Sequence, residues 1–140
     1  MKTIRFLVLI LLFLAACSRT PAQLGADAAS DAVPDLLGDY ALNGVSSNGT
    51  AYAGTLTVQP GDAQGQFKIQ WLVTGGIQVG TGILDGNVLK VEWKSLSSVA
   101  GETSGAGSYT VTVNGELYGK RTTDGVPGSA EETCYPNKKP

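Results

Sequence analysis

From Gly38 onward, apolar and polar residues alternate with a period of two. Tyr40 and Leu42 alternate with Ala41 and Asn43. Tyr52, Leu56 and Val58 alternate with Ala53, Thr55 and Thr57, and Phe67, Ile69, Trp71 and Val73 with Lys68, Gln70 and Leu72. Ile77, Val79, Thr81 and Ile83 alternate with Gln78, Gly80 and Gly82. Leu89, Val91 and Trp93 alternate with Lys90 and Glu92, and Tyr109, Val111 and Val113 with Thr110 and Thr112. Two weaker runs follow at 116–121 and 129–135. Successive side chains on a strand point to opposite faces, so each run offers one apolar face to a core. On this pattern the core-facing set of the fourth run is Ile77, Val79, Thr81 and Ile83. Thr55, Thr57, Thr110 and Thr112 face solvent.

The separators are Asn48-Gly49, Gly75-Gly76, Asp85-Gly86, Asn114-Gly115 and Asp124-Gly125, with Pro60-Gly61 as a further turn. Such pairs tolerate the positive φ of hairpin turns. About eight short strands joined by tight turns predict an all-β chain, an eight-stranded antiparallel up-and-down barrel of calycin-like architecture. Closure hides every strand edge. A two-sheet β-sandwich is the alternative, but it needs longer crossings than these turns supply. The longest irregular connection is expected from about Ser95 to Gly107, where Ser, Gly, Ala, Glu and Thr dominate.

The first 37 residues are organised differently. Lys2 and Arg5 precede an unbroken apolar run at 6–14, followed by Ala15, Ala16 and Cys17. The run is too short to span a bilayer, which takes about 20 residues, and has the length of a secretory-signal core. Leu14-Ala15-Ala16-Cys17 resembles the lipobox of bacterial lipoproteins. That resemblance implies cleavage before Cys17, a diacylglycerol thioether on its sulfur and acylation of the new amino terminus. Two or more acyl chains anchor stably where one does not. Ser18 follows Cys17, which by resemblance to sorting rules favours the outer membrane where the organism has one. The expected organisation is a signal peptide at 1–16, a lipidated Cys17 with a flexible tether at 17–37, a barrel at 38–136 and a tail at 137–140. Within the tether, residues 35–37 could form a turn or lid before the first strand.

Without residues 1–16 the chain carries eight basic and twelve acidic residues, a formal balance of −4. No basic patch stands out, so nucleic acid is not an expected partner. Histidine is absent, which removes the commonest general base and the commonest metal ligand. A serine triad cannot form, and a zinc site lacks its ligands. No catalytic residue, cofactor or metal is expected. With Cys17 lipidated, Cys134 has no partner within the chain; it reads as a small buried apolar residue, or alternatively as a reactive or intermolecular thiol. Trp71, Trp93, Tyr52 and Tyr109 fill the core or line a ligand pocket. Of the adjacent Glu131 and Glu132, one points inward. It either meets water at the barrel mouth, or is buried and serves a ligand or pairs with Lys120 or Arg121.

Several segments carry a family likeness: Gly38-Asp39-Tyr40, residues 48–56, Ile69-Gln70-Trp71, residues 80–89 and residues 115–119. Their order resembles a small secreted bacterial β-domain lipoprotein family sometimes labelled fibronectin-binding. The likeness covers nearly all of 38–135 and departs at Lys120-Arg121, where the family pattern places a tryptophan. It brings no catalytic residues with it. The sequence therefore points to a non-enzymatic, lipid-anchored envelope protein, attached to the membrane through Cys17 and acting through contacts with an envelope or extracellular protein. The alternative is binding of an apolar small molecule inside a calycin-like barrel.

Overall fold

The computed structural model describes residues 23–98 and 102–137. Eight strands follow one another: β1 (Gly38–Val45), β2 (Ala51–Pro60), β3 (Gln66–Val73), β4 (Gly76–Asp85), β5 (Val88–Ser98), β6 (Ser104–Val111), β7 (Leu117–Arg121) and β8 (Ala130–Pro136). Each pairs antiparallel with the next, and β8 returns to β1, closing the barrel. This is the expected up-and-down barrel, not the sandwich. The five turn pairs place Gly49, Gly75, Gly86, Gly115 and Gly125 at positive φ, the geometry hairpin turns require.

The lower half of the barrel, where β1 begins and β2 ends, is an apolar core. Leu42, Leu56, Val58, Ile69, Leu89, Val91, Val111 and Leu117 are buried in it. Cys134 lies there too, wholly buried. Burial, with Glu132 nearby, pushes its thiol well above the usual range, as suits a small packing residue.

Part of the expected tether is held against this end. Asp27 bridges Thr112, Ala28 donates to the Val111 carbonyl, and Val113 donates to the Ala26 carbonyl. The Gly25 N–H donates to Glu116 Oε2, and the Tyr118 hydroxyl to Asp27. Leu36 then enters the barrel end as a plug, and its carbonyl accepts from the Tyr40 hydroxyl at 2.8 Å. Residues 17–22 of the tether, with Cys17, lie outside the described residues, as does the signal segment. Leu36→Ala should therefore cost about 2–3 kcal/mol, read as a lower urea midpoint with an unchanged slope.

Three local expectations are corrected. The connection expected over 95–107 is mostly strand: Lys94 pairs with Ser104, Trp93 with Gly105 and Val91 with Gly107. Thr112 faces no solvent. It is wholly buried, and its hydroxyl bonds Glu116 at 2.5 Å under the N-terminal segment.

The third correction is β4, whose faces are reversed. Gln78, Gly80, Gly82 and Leu84 sit on the inner face, while Thr81 and Ile83 are exposed and Ile77 and Val79 half-buried on the outer one. The reason is volume. Trp71 and Trp93 come from the flanking strands, Trp71 opposite Gln78 and Trp93 opposite Gly80. A Cβ on Gly80 would already lie 3.1 Å from the Trp71 ring, and one on Gly82 2.8 Å from Ile69 Cδ1. Sliding β4 by one residue would turn four β-branched side chains into space the indoles fill.

Candidate functional site

Above the apolar core the interior becomes polar. Glu132, on the inner face of β8, is the centre. Its Oε1 accepts from Arg121 Nε at 2.9 Å, from Arg121 Nη2 at 2.6 Å and from the Tyr52 hydroxyl at 2.5 Å. Its Oε2 accepts from the Tyr109 hydroxyl. Tyr109 in turn accepts from Trp71 Nε1 at 3.1 Å, and Arg121 Nη1 donates to Gln78 at 2.7 Å. The guanidinium lies between two indoles, 4.8 Å from the Trp71 ring centre and 5.0 Å from that of Trp93, a cation–π sandwich. Trp93 Nε1 is taken by the Thr122 carbonyl at 3.1 Å.

The four aromatics singled out from sequence, Tyr52, Trp71, Trp93 and Tyr109, thus converge on one cluster. The two residues that organise it are Glu132, foreseen only as one of two alternatives, and Arg121. Arg121, on β7, supplies the buried cation. The neighbouring Lys120 and Glu131 pair outside at 3.3 Å, both exposed.

Trp71 and Tyr109 are wholly buried, Glu132 is 2 % exposed and Arg121 5 %. Among the described residues no buried side-chain polar atom lacks a partner. The cluster is thus internally satisfied, as a structural ion pair must be. Burial, then Glu132, pushes the Tyr52 and Tyr109 phenols well above the usual range; burial, with Cys134 and Asp35, pushes Tyr40 to about 12. Because these folded-state values exceed the unfolded ones, the stability they carry is complete below pH 10 and lost as pH rises through the folded values. Phenolate absorbance at 295 nm from these three should therefore stay low through the ordinary phenol range and rise in one step only well above it, together with unfolding. Stepwise titration near pH 10 in a folded barrel would contradict the assignment.

A concave space of about 790 Å³ lies outside, on the wall from β2 to β6. Register resolves its lining into two rungs of outward side chains. One rung runs Thr57, Gln70, Val79, Lys94, Ser104; the other runs Gln59, Lys68, Thr81, Glu92, Ala106. The reversed strand β4 supplies the short floor of this trough. Long side chains on β3 and β5 form its walls. Lys68 pairs with Asp62 at 2.8 Å and Lys90 with Asp85 at 2.7 Å. Glu92 and Lys94 have neither an ion pair nor a hydrogen-bond partner among the described residues. No three His, Cys, Asp or Glu side chains among the described residues gather as a metal-holding group.

Fold and lining together define a closed, polar-centred eight-stranded barrel with an external trough. No protein-family model matches the chain, and no curated protein sequence does. Among solved structures it is similar to designed barrels. One is a redesigned β-barrel, b11L5F_LGL, at 14 % identity and TM-score 0.66, with 82 % of this chain and 100 % of that chain covered. A second is a redesigned barrel, mFAP1, bound to DFHBI, at 15 % identity and TM-score 0.58 over 79 % and 98 %. A third, mFAP0, also bound to DFHBI, is 18 % identical at TM-score 0.59 over 71 % and 97 %. At these identities the likeness is one of fold.

Proposed function

We propose that this chain is a non-enzymatic, lipid-anchored protein of the bacterial cell envelope that acts by binding another protein. One observation supports the binding role most directly: the buried polar side chains of the described interior satisfy one another, while a concave space of about 790 Å³ opens on the outer wall. The N-terminal segment leaves the barrel at its plugged end, and Cys17 stands six positions before Gln23. A lipid there would turn the plugged end toward the bilayer and leave the wall and opposite rim free. Where the organism has two membranes, Ser18 after Cys17 favours the outer one.

Two measurements test this. Wild-type protein should enter the detergent phase and Cys17→Ser should stay in the aqueous phase; a variant that still partitions into detergent overturns the anchor. Formaldehyde treatment of cells carrying the full chain should give discrete adducts heavier than the monomer. Recovery of monomer alone overturns the binding role.

A second reading, an apolar small molecule inside the barrel, is favoured by the convergence of Tyr52, Trp71, Trp93 and Tyr109 on the interior. DFHBI, bound to two of the designed barrels, serves as probe. Saturable quenching of Trp71 and Trp93 by DFHBI or an apolar dye would support this reading; its absence would remove it.

A further inference from the structure

We propose that the trough over β4 holds an extended peptide segment of the protein partner, bearing a basic and an acidic residue two positions apart. This rests on the protein-binding reading above and narrows it to one surface and one ligand chemistry.

The shape selects an extended chain. The walls stand on β3 and β5, two strand spacings apart, so the trough is about 9–10 Å wide. One extended chain fits that width; a helix with its side chains needs about 10–12 Å. The floor is short: along β4 the trough is lined by Val79, Gly80 and Thr81, about 7 Å, the repeat of two extended residues. A closed barrel offers no free edge, so a peptide cannot bind by adding a strand and must be held by outward side chains.

The lining selects a peptide. Gln59 and Gln70 present amides that can donate to and accept from peptide groups, while the hydroxyls of Thr57 and Ser104, which donate to Asp39 and Asp124 at 2.7 Å, can still accept. The floor is half-buried Val79 beside Thr81. Glu92 and Lys94 sit two apart on one face of β5, about 6.5–7 Å from each other, and neither side chain is paired among the described residues. An extended segment carries its own side chains at that spacing, so a basic residue would meet Glu92 and an acidic one Lys94. An apolar molecule would cover both charges without pairing them, at a desolvation cost. A neutral sugar polymer would leave them equally unmatched.

The test pans random 12-residue peptides, displayed on phage, against the purified full-length lipidated protein. Enriched peptides should carry a basic and an acidic residue separated by one position. A synthetic representative should lose at least about tenfold in affinity on Thr81→Trp, which fills the trough from an exposed position. Circular dichroism and melting should show that variant folded. The double change Glu92→Lys with Lys94→Glu should invert the preferred order of the two charges. Peptides that bind Thr81→Trp as tightly as wild type would place the site elsewhere and overturn the inference. So would enrichment that ignores the charge swap, or trough-dependent binding of dextran or DFHBI in place of peptide. If no peptide enriches while cross-linked adducts persist in cells, the inference falls and the protein-binding reading stands. If the adducts vanish as well, both fall.

Discussion

Glu132→Ala should destabilise the barrel by about 3–5 kcal/mol, because it leaves the Arg121 guanidinium buried between two indoles without its counter-charge. Two further groups lose their acceptor with it, the hydroxyls of Tyr52 and Tyr109, and Tyr109 is the acceptor on which Trp71 Nε1 rests. A domain of this size is stable by about 5–15 kcal/mol in total, so the variant should sit near its unfolding threshold at 37 °C. The reverse truncation, Arg121→Met, should cost less. It removes the cation, keeps the packing against Trp71 and Trp93, and leaves a carboxylate that still accepts from two tyrosines. In the double variant much of the Glu132→Ala penalty should disappear, giving a coupling energy of about 2 kcal/mol or more. Urea unfolding followed by tryptophan fluorescence measures all three. A cost below 1 kcal/mol for Glu132→Ala would mean that water reaches the pair, and that the interior is open rather than filled.

That experiment also separates the structural and ligand-binding accounts of the aromatics. A cluster that exists to hold Arg121 and Glu132 has its buried polar atoms partnered from within, without a guest. A guest site would tolerate loss of the ion pair with little change in stability.

The strands and turns were legible in the sequence because both are local signals. Alternation with a period of two needs only neighbours along the chain, and a dipeptide such as Asn114-Gly115 carries its own backbone preference. What failed was non-local. On β4 the apolar residues alternate cleanly, yet they face outward, because Trp71 and Trp93 on other strands claim the volume inside. Ser95 to Gly107 looked like a loop because its glycines read as turn residues; Gly105 and Gly107 are instead inward positions of β6 that leave room for large neighbours. Thr112 is buried by a segment more than 80 residues away in sequence, which no local pattern reports. Glu132 stood as an open choice because its partner depends on the register of β8 against β7. The trough was invisible for the same reason: its walls and floor come from strands whose facing is settled only when the barrel closes.

Two inward glycines, Gly80 and Gly105, should tolerate a single added methyl poorly. At Gly80 a Cβ would lie 2.0 Å from the Glu92 carbonyl oxygen, and at Gly105 1.9 Å from that of Thr122. Both obstacles are backbone, so the strands themselves would have to part. These glycines also flank Trp93 on either side in the register, and small residues beside large ones let a tightly curved barrel close. Gly80→Ala and Gly105→Ala should each cost about 3 kcal/mol or more, against the fraction of a kcal/mol that alanine usually returns through chain entropy. Gly82→Ala is the control. Its Cβ would meet only the ends of the Ile69 and Leu89 side chains, at 2.8 and 2.9 Å. Those can rotate away, so the cost should be about 1 kcal/mol. Near-ultraviolet circular dichroism should lose the Trp93 signal in the first two variants and keep it in the third. Equal costs at all three positions would mean that glycine serves chain flexibility there, not the close passage of one strand over another.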